Sequence, residues 1–312
     1  MAGRDVLLNY VLKAQAIEPV APVSRAYLHN VMVIAKLKEG ETAGVYACTT
    51  TAQIKQYTDS MAYVMLNHGM TKIYLCVVEN YADAQPLLDE SDYKYFTIIT
   101  DPAFTETPTA IEGFTGVAAW ETSNVELGTD YTRIASANNT AFISQAPATG
   151  ENMYAAFATL LSGPTWRNQQ YIPMPANGAT SNLGTAESYF DNRLSFVLNS
   201  PEFGNRLAFF ANRNRAITAP YIYEEFTLDL QAWALIYINL NMPDYNAVEA
   251  AKLESYLLNK ATEKYIDSGL VQALTVSIAA DQDNFVMSGN IAIAEPKATW
   301  RIKAQIQQGG LE

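Results

Sequence analysis

The chain of 312 residues has few of the side chains on which most catalytic and metal sites depend. Its two histidines, His29 and His68, have no cysteine, histidine or acid at the spacing typical of metal ligands. Its two cysteines, Cys48 and Cys76, lie in apolar runs, which predicts buried, unreactive thiols. Two cysteines do not make a disulfide framework, so we expect synthesis in a reducing compartment.

Motifs of nucleotide binding and of nucleophilic catalysis are missing too. The sequence has no G-x-x-x-x-G-K-[ST] loop, no G-x-G-x-x-G after a strand and no G-x-S-x-G elbow. The adjacent acids at 89–90 and 224–225 would work as a catalytic pair only if the fold made them converge across a cleft. We therefore expect a protein that is not an enzyme and that uses no cofactor and no metal.

Basic residues are scarce. Lysine and arginine number 20 against 32 acids, which gives a net charge of -12 and disfavours direct binding of nucleic acid. Residues 101–165 hold seven acids against one base, Arg133. The simplest interpretation of this excess is a solvated, peripheral face of the fold.

Long hydrophobic runs are absent. No stretch of about 18 apolar residues occurs, so no membrane insertion is expected, and residues 1–10 lack the apolar centre of a secretory signal. The chain is nevertheless 49% apolar, enough for a large core. Its length fits one large domain or two ordinary ones.

Strand and helix patterns alternate in the first third of the chain. Continuous apolar runs predict strands buried on both faces, and apolar residues three and four apart predict helices. The predicted strands are 31–35, 45–48, 73–78 and 93–99, and the predicted helices are 51–65 and 82–88. This order predicts the α/β (α+β) fold class, with a mixed sheet flanked by helices.

The rest of the chain continues this pattern with weaker signals. Residues 111–121 read as helical or irregular, and helices are predicted at 153–161, 186–198, 225–240 and 246–268. Strands are predicted at 140–144 and 207–211. Three more strands, 271–278, 284–287 and 290–294, are predicted to form a closing antiparallel sheet. The longest helical pattern opens with Asn246 and has Glu249 three residues later, as in a capping box.

Both ends of the chain have the character of extended arms. Residues 18–23 contain two prolines, which favour extended geometry and exclude the middle of a sheet. Residues 299–307 alternate apolar and polar side chains, as a strand does. The predicted organisation is an arm and linker at 1–25, an α/β part at 26–165, a second α/β part at 166–298 and a terminal strand at 299–312.

Several segments carry a resemblance to a known family. They share its order of strands, a threonine-rich turn into a helix, paired helices that exit at a glycine, and closing strands. The segments are Val31–Ile34, Val45–Ile54, Lys72–Val78, Asp92–Thr100, Ser162–Asn168, Thr227–Gly269, Ser288–Ile291 and Lys297–Gln308. Together they resemble the tail sheath proteins of contractile bacteriophages and related injection machines, although the chain is short for that family.

The resemblance implies a structural virion protein. A sheath subunit polymerises helically around a tail tube and contracts to drive the tube through the host envelope, with arms that add strands to neighbouring subunits. It implies as partners other copies of the chain, the tube protein, and baseplate and tail terminator proteins. It also implies a place in the virion tail, after assembly in the host cytoplasm.

Two groups of site residues follow from the resemblance. The residues expected in strand exchange are Val6, Leu7, Leu8, Tyr10 and Val11 in the first arm and Trp300, Ile302, Ala304 and Ile306 in the last. The residues expected to contact the tube or a neighbour are Lys252, Lys260, Lys264, Arg213 and Arg215. Each segment also fits a simpler interpretation. Residues 18–23 fit an ordinary linker, residues 299–307 fit an internal edge strand, and the basic residues fit a solvated charged face.

Two other functions stay open on the sequence. The chain could be a different tail component, a terminator or a baseplate protein, which would form small rings. It could also be a soluble α/β enzyme or ligand-binding module, which would have a deep polar pocket.

Overall fold

A computed structural model describes most of the chain between residues 25 and 294. The described residues are 25–133, 138–144, 147–163, 166, 172–175, 179–180, 182–211, 216–241, 243–244, 246–281 and 286–294, with the last range described by its backbone. Both predicted arms, apart from Arg25, lie outside these residues.

A six-stranded mixed sheet forms the centre of the fold, in the order β2-β3-β1-β4-β5-β6. Its strands are β1 Val31–Lys36, β2 Gly44–Cys48, β3 Ile73–Val78, β4 Thr97–Thr100, β5 Val117–Thr122 and β6 Asn139–Ile143. The edge strand β2 pairs antiparallel with β3, and the other pairs are parallel. The predicted α/β class with a mixed sheet is confirmed.

Helices and two hairpins complete the fold. The helices are α1 Thr51–Tyr57, α2 Val64–Asn67, α3 Ala84–Asp89, α4 Val125–Arg133, α5 Glu151–Ser162, α6 Leu183–Asp191, α7 Ala219–Asn241 and α8 Ala247–Ala261. The hairpins pair β7 Phe196–Ser200 with β8 Gly204–Phe209, and β9 Ala273–Asp281 with β10 Val286–Ala294. A 3₁₀ helix, Arg25–His29, precedes the sheet, and a π-helical turn, Thr262–Ile266, follows α8.

The apolar runs become the buried strands that they predict. Every residue of β3 is buried, as are the first five residues of β1. These two strands pair parallel with each other inside the mixed sheet and are buried on both faces, so an unbroken apolar run is the pattern that burial requires. Apolar periodicity also gives the correct position of α5, which is buried from Asn152 to Ala158.

The continuous helix predicted over 51–65 is wrong. Helix α1 ends at Tyr57, because Thr58 has extended backbone angles (φ -151°, ψ 155°). The Thr58 hydroxyl donates to the carbonyl of Lys36 (2.7 Å), and the Ser60 hydroxyl donates to the Asp101 carboxylate. These bonds tie the segment to the carboxyl ends of β1 and β4, and a continuous helix would lose them.

Three other predictions differ from the structure. Residues 117–121, read as helical or irregular, belong to the buried strand β5, and helix α4 was not predicted. The two strands predicted at 284–287 and 290–294 form one strand, β10. The helix predicted over 186–198 ends at Asp191, and strand β7 begins at Phe196.

The largest core cluster joins the two predicted parts of the chain. It contains Leu28, Val33 and Phe157 from residues 26–165, and Tyr221 and Val276 from residues 166–298. Aromatic contacts cross between the parts as well, since the rings of Phe157 and Phe210 lie 5.1 Å apart in an edge-to-face arrangement.

Candidate assembly surface

The hairpin β9–β10 is a long two-stranded ladder. Nine residues of each strand pair in register, from Ala273 with Ala294 to Asp281 with Val286. Among the described residues, neither strand pairs with a third. A two-stranded sheet of this length presents backbone N–H and C=O groups along its outer edges, to which another strand can add.

The two outer edges of this hairpin are not equivalent. Along β9, Val276 is buried and Leu274 and Ile278 pack against the core, while Thr275 and Ser277 are exposed. The N–H of Ile278 donates to Oε2 of Glu254 on α8 (2.9 Å). A side chain therefore occupies part of the β9 side, which leaves β10 as the better edge for an added strand.

Apolar side chains are exposed on the helix pair beside this hairpin. Ile236 and Leu240 lie one turn apart on α7, and Leu240 is 78% exposed; Val248 on α8 is 64% exposed. Val248 is one of the residues around a groove of about 690 Å³, which is lined by Tyr237 of α7 and by Ala247, Val248, Ala251, Lys252 and Ser255 of α8. The groove was not predicted from the sequence, where the one signal for it is the lack of charge in residues 230–241.

The lysines predicted to make contacts have different surroundings. Lys252 pairs with Glu249 on α8 (2.7 Å), and Lys260 pairs with Glu263 (3.6 Å). Both lysines stay on the surface. Lys264 instead points into the fold, where its Nζ lies 2.6 Å from both Glu225 and Asp229.

The other predicted site residues cannot be placed. Arg213 and Arg215 lie outside the described residues, as do the residues predicted for strand exchange. These are Val6, Leu7, Leu8, Tyr10 and Val11, and Trp300, Ile302, Ala304 and Ile306.

The acidic stretch 101–165 is not the uniformly solvated face that its charge suggested. Asp101 is 3% exposed and Glu121 is 1% exposed. The Asp101 carboxylate accepts hydrogen bonds from the hydroxyls of Ser60 and Tyr154 and from the Ala103 N–H. Asp101 therefore joins Ser60 and helix α5 to the carboxyl end of β4.

A cleft of about 360 Å³ lies beside the Asp101 carboxylate. It lies between the carboxyl ends of β1 and β4, and Lys36, Ser60 and Asp101 line it with Pro102 and Thr149. Open α/β sheets bind ligands at such a place, where successive connections leave in opposite directions. Here, however, both carboxylate oxygens of Asp101 already accept hydrogen bonds within the chain, which weighs against the ligand-binding alternative.

Glu121 is a buried acid with an unusual pKa. Its burial raises the pKa from 4.5 to about 7, the Asp101 charge adds to this, and the hydrogen bond from the Met153 N–H opposes it. The N–H of Met153 in the first turn of α5 approaches Oε2 at 3.4 Å. The acid thus links β5 to the start of α5.

The two thiols are buried, as predicted. Cys48 and Cys76 are both 0% exposed. Burial raises the pKa of Cys48 to about 11 and that of Cys76 to about 12. Since the thiolate is the reactive form, neither thiol is suited to nucleophilic chemistry near neutral pH.

Two kinds of feature are absent from the described part of the chain. No helix within it is both long and apolar enough to cross a membrane. No cluster of three or more histidine, cysteine, aspartate or glutamate side chains within it could hold a metal ion.

Comparison with known proteins gives fold relationships without sequence relationships. No family profile matches the sequence, and no curated protein matches it. Solved structures do match over nearly the whole chain. A chain of the anti-feeding prophage baseplate aligns with a TM-score of 0.64 at 11% identity, over 96% of this chain and 99% of the other.

Two further structures extend this result. The anti-feeding prophage helical sheath in its contracted state aligns with a TM-score of 0.61 at 11% identity, over 96% and 100% of the two chains. A sheath tail protein from Desulfitobacterium hafniense aligns with a TM-score of 0.54 at 10% identity, over 90% and 100%. The chain has the fold of a contractile sheath protein.

The sheath fold agrees with the family resemblance of the sequence. The three neighbours are described as a baseplate chain, a chain of a contracted helical sheath and a sheath tail protein.

Proposed function

We propose that the chain is a sheath subunit that polymerises helically around a rigid inner tube and contracts to drive that tube through a host envelope. One observation carries the proposal, the two-stranded hairpin β9–β10 with an available edge, set in the sheath fold. A strand from a neighbouring copy would pair with β10 and extend the hairpin. A contact of this kind between unlike surfaces does not close on itself, so it generates a helix of subunits.

Strand exchange would also explain how subunits stay connected while they move. Backbone hydrogen bonds between an arm and a neighbour's hairpin do not depend on how the two bodies pack. On this proposal residues 26–298 act as the body, and residues 1–25 and 299–312 act as the arms. The energy of contraction comes from new contacts between bodies, so no nucleotide is needed.

The partners follow from the same proposal. The chain binds other copies of itself, a tube protein and, at the two ends of the sheath, baseplate and terminator proteins, with no direct contact to nucleic acid and no insertion into a membrane. Its place is a bacteriophage tail or a related injection machine, assembled in the host cytoplasm. Lys252, Lys260, Arg213 and Arg215 are proposed contacts to the tube or a neighbour.

Negative-stain electron microscopy of the purified full chain at high concentration tests the proposal. We expect hollow striated tubes wide enough to surround an inner tube. Small closed rings would favour a terminator or baseplate role instead. Small monodisperse oligomers, both alone and with the tube protein present, would contradict the proposal.

Deletion of residues 1–17 tests the N-terminal arm. We expect the truncated chain to keep its circular dichroism and unfolding temperature and to lose its tubes, because the strand that pairs with the neighbour is gone. A control that lacks only residues 2–4 should assemble normally. Long tubes from the 1–17 deletion would show that this arm is dispensable.

Ile302→Pro tests the C-terminal arm. Proline removes one backbone N–H and does not fit the interior of a strand ladder, so tube formation should fall to background in electron micrographs. Ile302→Val, which keeps the N–H and a β-branched side chain, should assemble as the parent does. Normal tubes from the proline variant would exclude a paired strand at this position.

A further inference from the structure

The 3₁₀ helix Arg25–His29 is attached to the body by side chains along its whole length. Arg25 forms an ion pair with Asp229 of α7, and the Tyr27 hydroxyl donates to Oε1 of Glu224 on the same helix (2.7 Å). Leu28 is 1% exposed within the main core. We call this segment, Arg25–His29, the anchor helix.

The last residue of the anchor helix contacts a different helix. His29 donates through Nδ1–H to the carbonyl of Leu161 in α5 (2.7 Å). Its ring stacks on Trp166 with centroids 4.5 Å apart, and Trp166 stacks in turn on Tyr221 of α7 at 4.6 Å. A segment of five residues is thus held by α5 and α7 together.

The partner of Arg25 is a buried carboxylate with several bonds. Asp229 is 1% exposed, although it lies in the middle of the long helix α7. Besides Arg25, it accepts hydrogen bonds from Nζ of Lys264 and from the hydroxyl of Tyr265, both at 2.6 Å. Burial, and then the bond to Asp229, raise the pKa of Tyr265.

This carboxylate therefore connects three parts of the chain. Lys264 and Tyr265 belong to the π-helical turn that follows α8, Asp229 belongs to α7, and Arg25 belongs to the anchor helix. Lys264 also pairs with Glu225 one turn away on α7 (2.6 Å). Loss of Arg25 would leave the Asp229 carboxylate with Lys264 and Tyr265 only, so the anchor helix would lose its charge-assisted contact with α7.

Arg25 connects the bonds around Asp229 to the N-terminal segment of the chain. Arg25 is the first residue that the structure describes, and it directly follows residues 1–24, which form the proposed arm. We propose that the anchor helix transmits tension from the N-terminal arm to the α7–α8 pair, with Arg25 bonded to Asp229 as the positioning contact. This inference rests on the proposed function, in which the arm is held by a neighbouring copy.

The two kinds of contact in the anchor helix respond differently to a pulling force. An apolar contact such as that of Leu28 loses its area gradually as it slides, while the Arg25 pair keeps its geometry until it breaks. The pair links the anchor helix to α7, and α7 packs against α8, the helix that lies against strand β9. A displacement of the arm would then rotate the body together with the groove and the hairpin β9–β10. It would not unfold the segment that precedes β1.

Constant-force measurements on single full-length chains test the proposal. One handle is attached at the N-terminus and the other at an introduced cysteine, Glu202→Cys, in the exposed turn between β7 and β8. We expect Arg25→Ala to shorten the lifetime of the attached anchor helix by about tenfold or more at a given force. Arg25→Lys, which keeps the charge without the guanidinium fork, should fall between the two.

The matched control removes an ion pair elsewhere. Lys252→Ala breaks the pair with Glu249 on α8, which does not touch the anchor helix, so the lifetime should stay unchanged. Equal lifetimes for Arg25→Ala and the parent, or an equal loss in the control, would overturn the proposal. If Arg25→Ala does not fold, the comparison of Arg25→Lys with the control decides.

The outcome can be separated from that of the proposed function. Lifetimes are measured on isolated chains and do not require tubes. Absence of tubes from the parent would refute the sheath role itself, and a shortened lifetime would then mark Arg25 as a purely structural contact. Tubes from Arg25→Ala as long and as resistant to shear as those of the parent would overturn the transmission of tension.

Discussion

Gly116→Ala is expected to destabilise the protein by roughly 3 kcal/mol, through a clash with backbone that nothing nearby can relieve. A Cβ at Gly116 would lie 2.2 Å from the carbonyl oxygen of Phe96 and 2.7 Å from the ring of Phe114. The same carbonyl accepts the N–H of Val117 at 2.8 Å, the first hydrogen bond between β4 and β5. The methyl group would therefore force these two central strands apart at their start.

Urea unfolding measures this effect. The midpoint should fall while the slope of free energy against denaturant stays the same, because one methyl group hardly changes the surface exposed on unfolding. Gly184→Ala is the control, since a Cβ there meets only Oδ1 of Asn182 at 3.4 Å. In that exposed turn of α6, alanine should be neutral or stabilise by up to about 1 kcal/mol. Equal midpoints for Gly116→Ala and the parent would contradict the close approach of these strands.

Glu121→Gln should make the protein more stable, and increasingly so as the pH rises. The folded chain holds the pKa of Glu121 at about 7, against 4.5 for an unperturbed group. Between these values the folded chain keeps a proton that the unfolded chain releases, so stability falls as the pH rises through this window and levels off above it. The difference corresponds to about 3 kcal/mol in total.

Glutamine removes this penalty because it stays neutral at every pH. Its amide oxygen can still accept from the N–H of Met153, as the carboxylate does. Between pH 5 and pH 8 the stability of Glu121→Gln relative to the parent should increase by about 2.5 kcal/mol. Unfolding curves at a series of pH values give this difference directly.

An exposed acid serves as the control for this series. Glu126→Gln removes the same kind of charge at an exposed position on α4, and surface substitutions of this kind usually change stability by no more than about 0.5 kcal/mol. A parallel pH profile for Glu121→Gln and Glu126→Gln would show that Glu121 is ionised at little cost in the folded chain.

The central strands were predictable because their burial is symmetrical. Val31–Ala35 and Ile73–Val78 are covered on both faces, and an unbroken apolar run has no other common explanation in an α/β chain. Strand β5 escaped prediction for the converse reason. It ends in Glu121 and Thr122, whose burial depends on hydrogen bonds from other segments, and a sequence pattern does not record such distant partners.

The helix predicted over 51–65 shows a similar limit. Ile54, Tyr57, Met61 and Val64 follow helical spacing, yet the chain turns at Thr58 to bond with β1. Local periodicity favours the helix, and tertiary hydrogen bonds determine the outcome.

The assembly surface was predictable in part. The capping pattern at Asn246 and Glu249 located α8, whose first turn the Asn246 side chain caps. The partners of Lys264 were out of reach, since Asp229 lies 35 residues away in sequence. The same holds for Arg25, whose partner lies on α7, far along the sequence, and no spacing rule connects residues so far apart.

The burial of both native thiols has a practical consequence for every experiment that needs a probe. Cys48 and Cys76 are inaccessible and protonated at neutral pH, so a maleimide dye should leave the folded parent chain unlabelled. A single cysteine introduced on the surface would then carry the only fluorophore, with no need to replace the native pair. Distances between subunits in an assembled tube could be followed by energy transfer in an otherwise unaltered sequence.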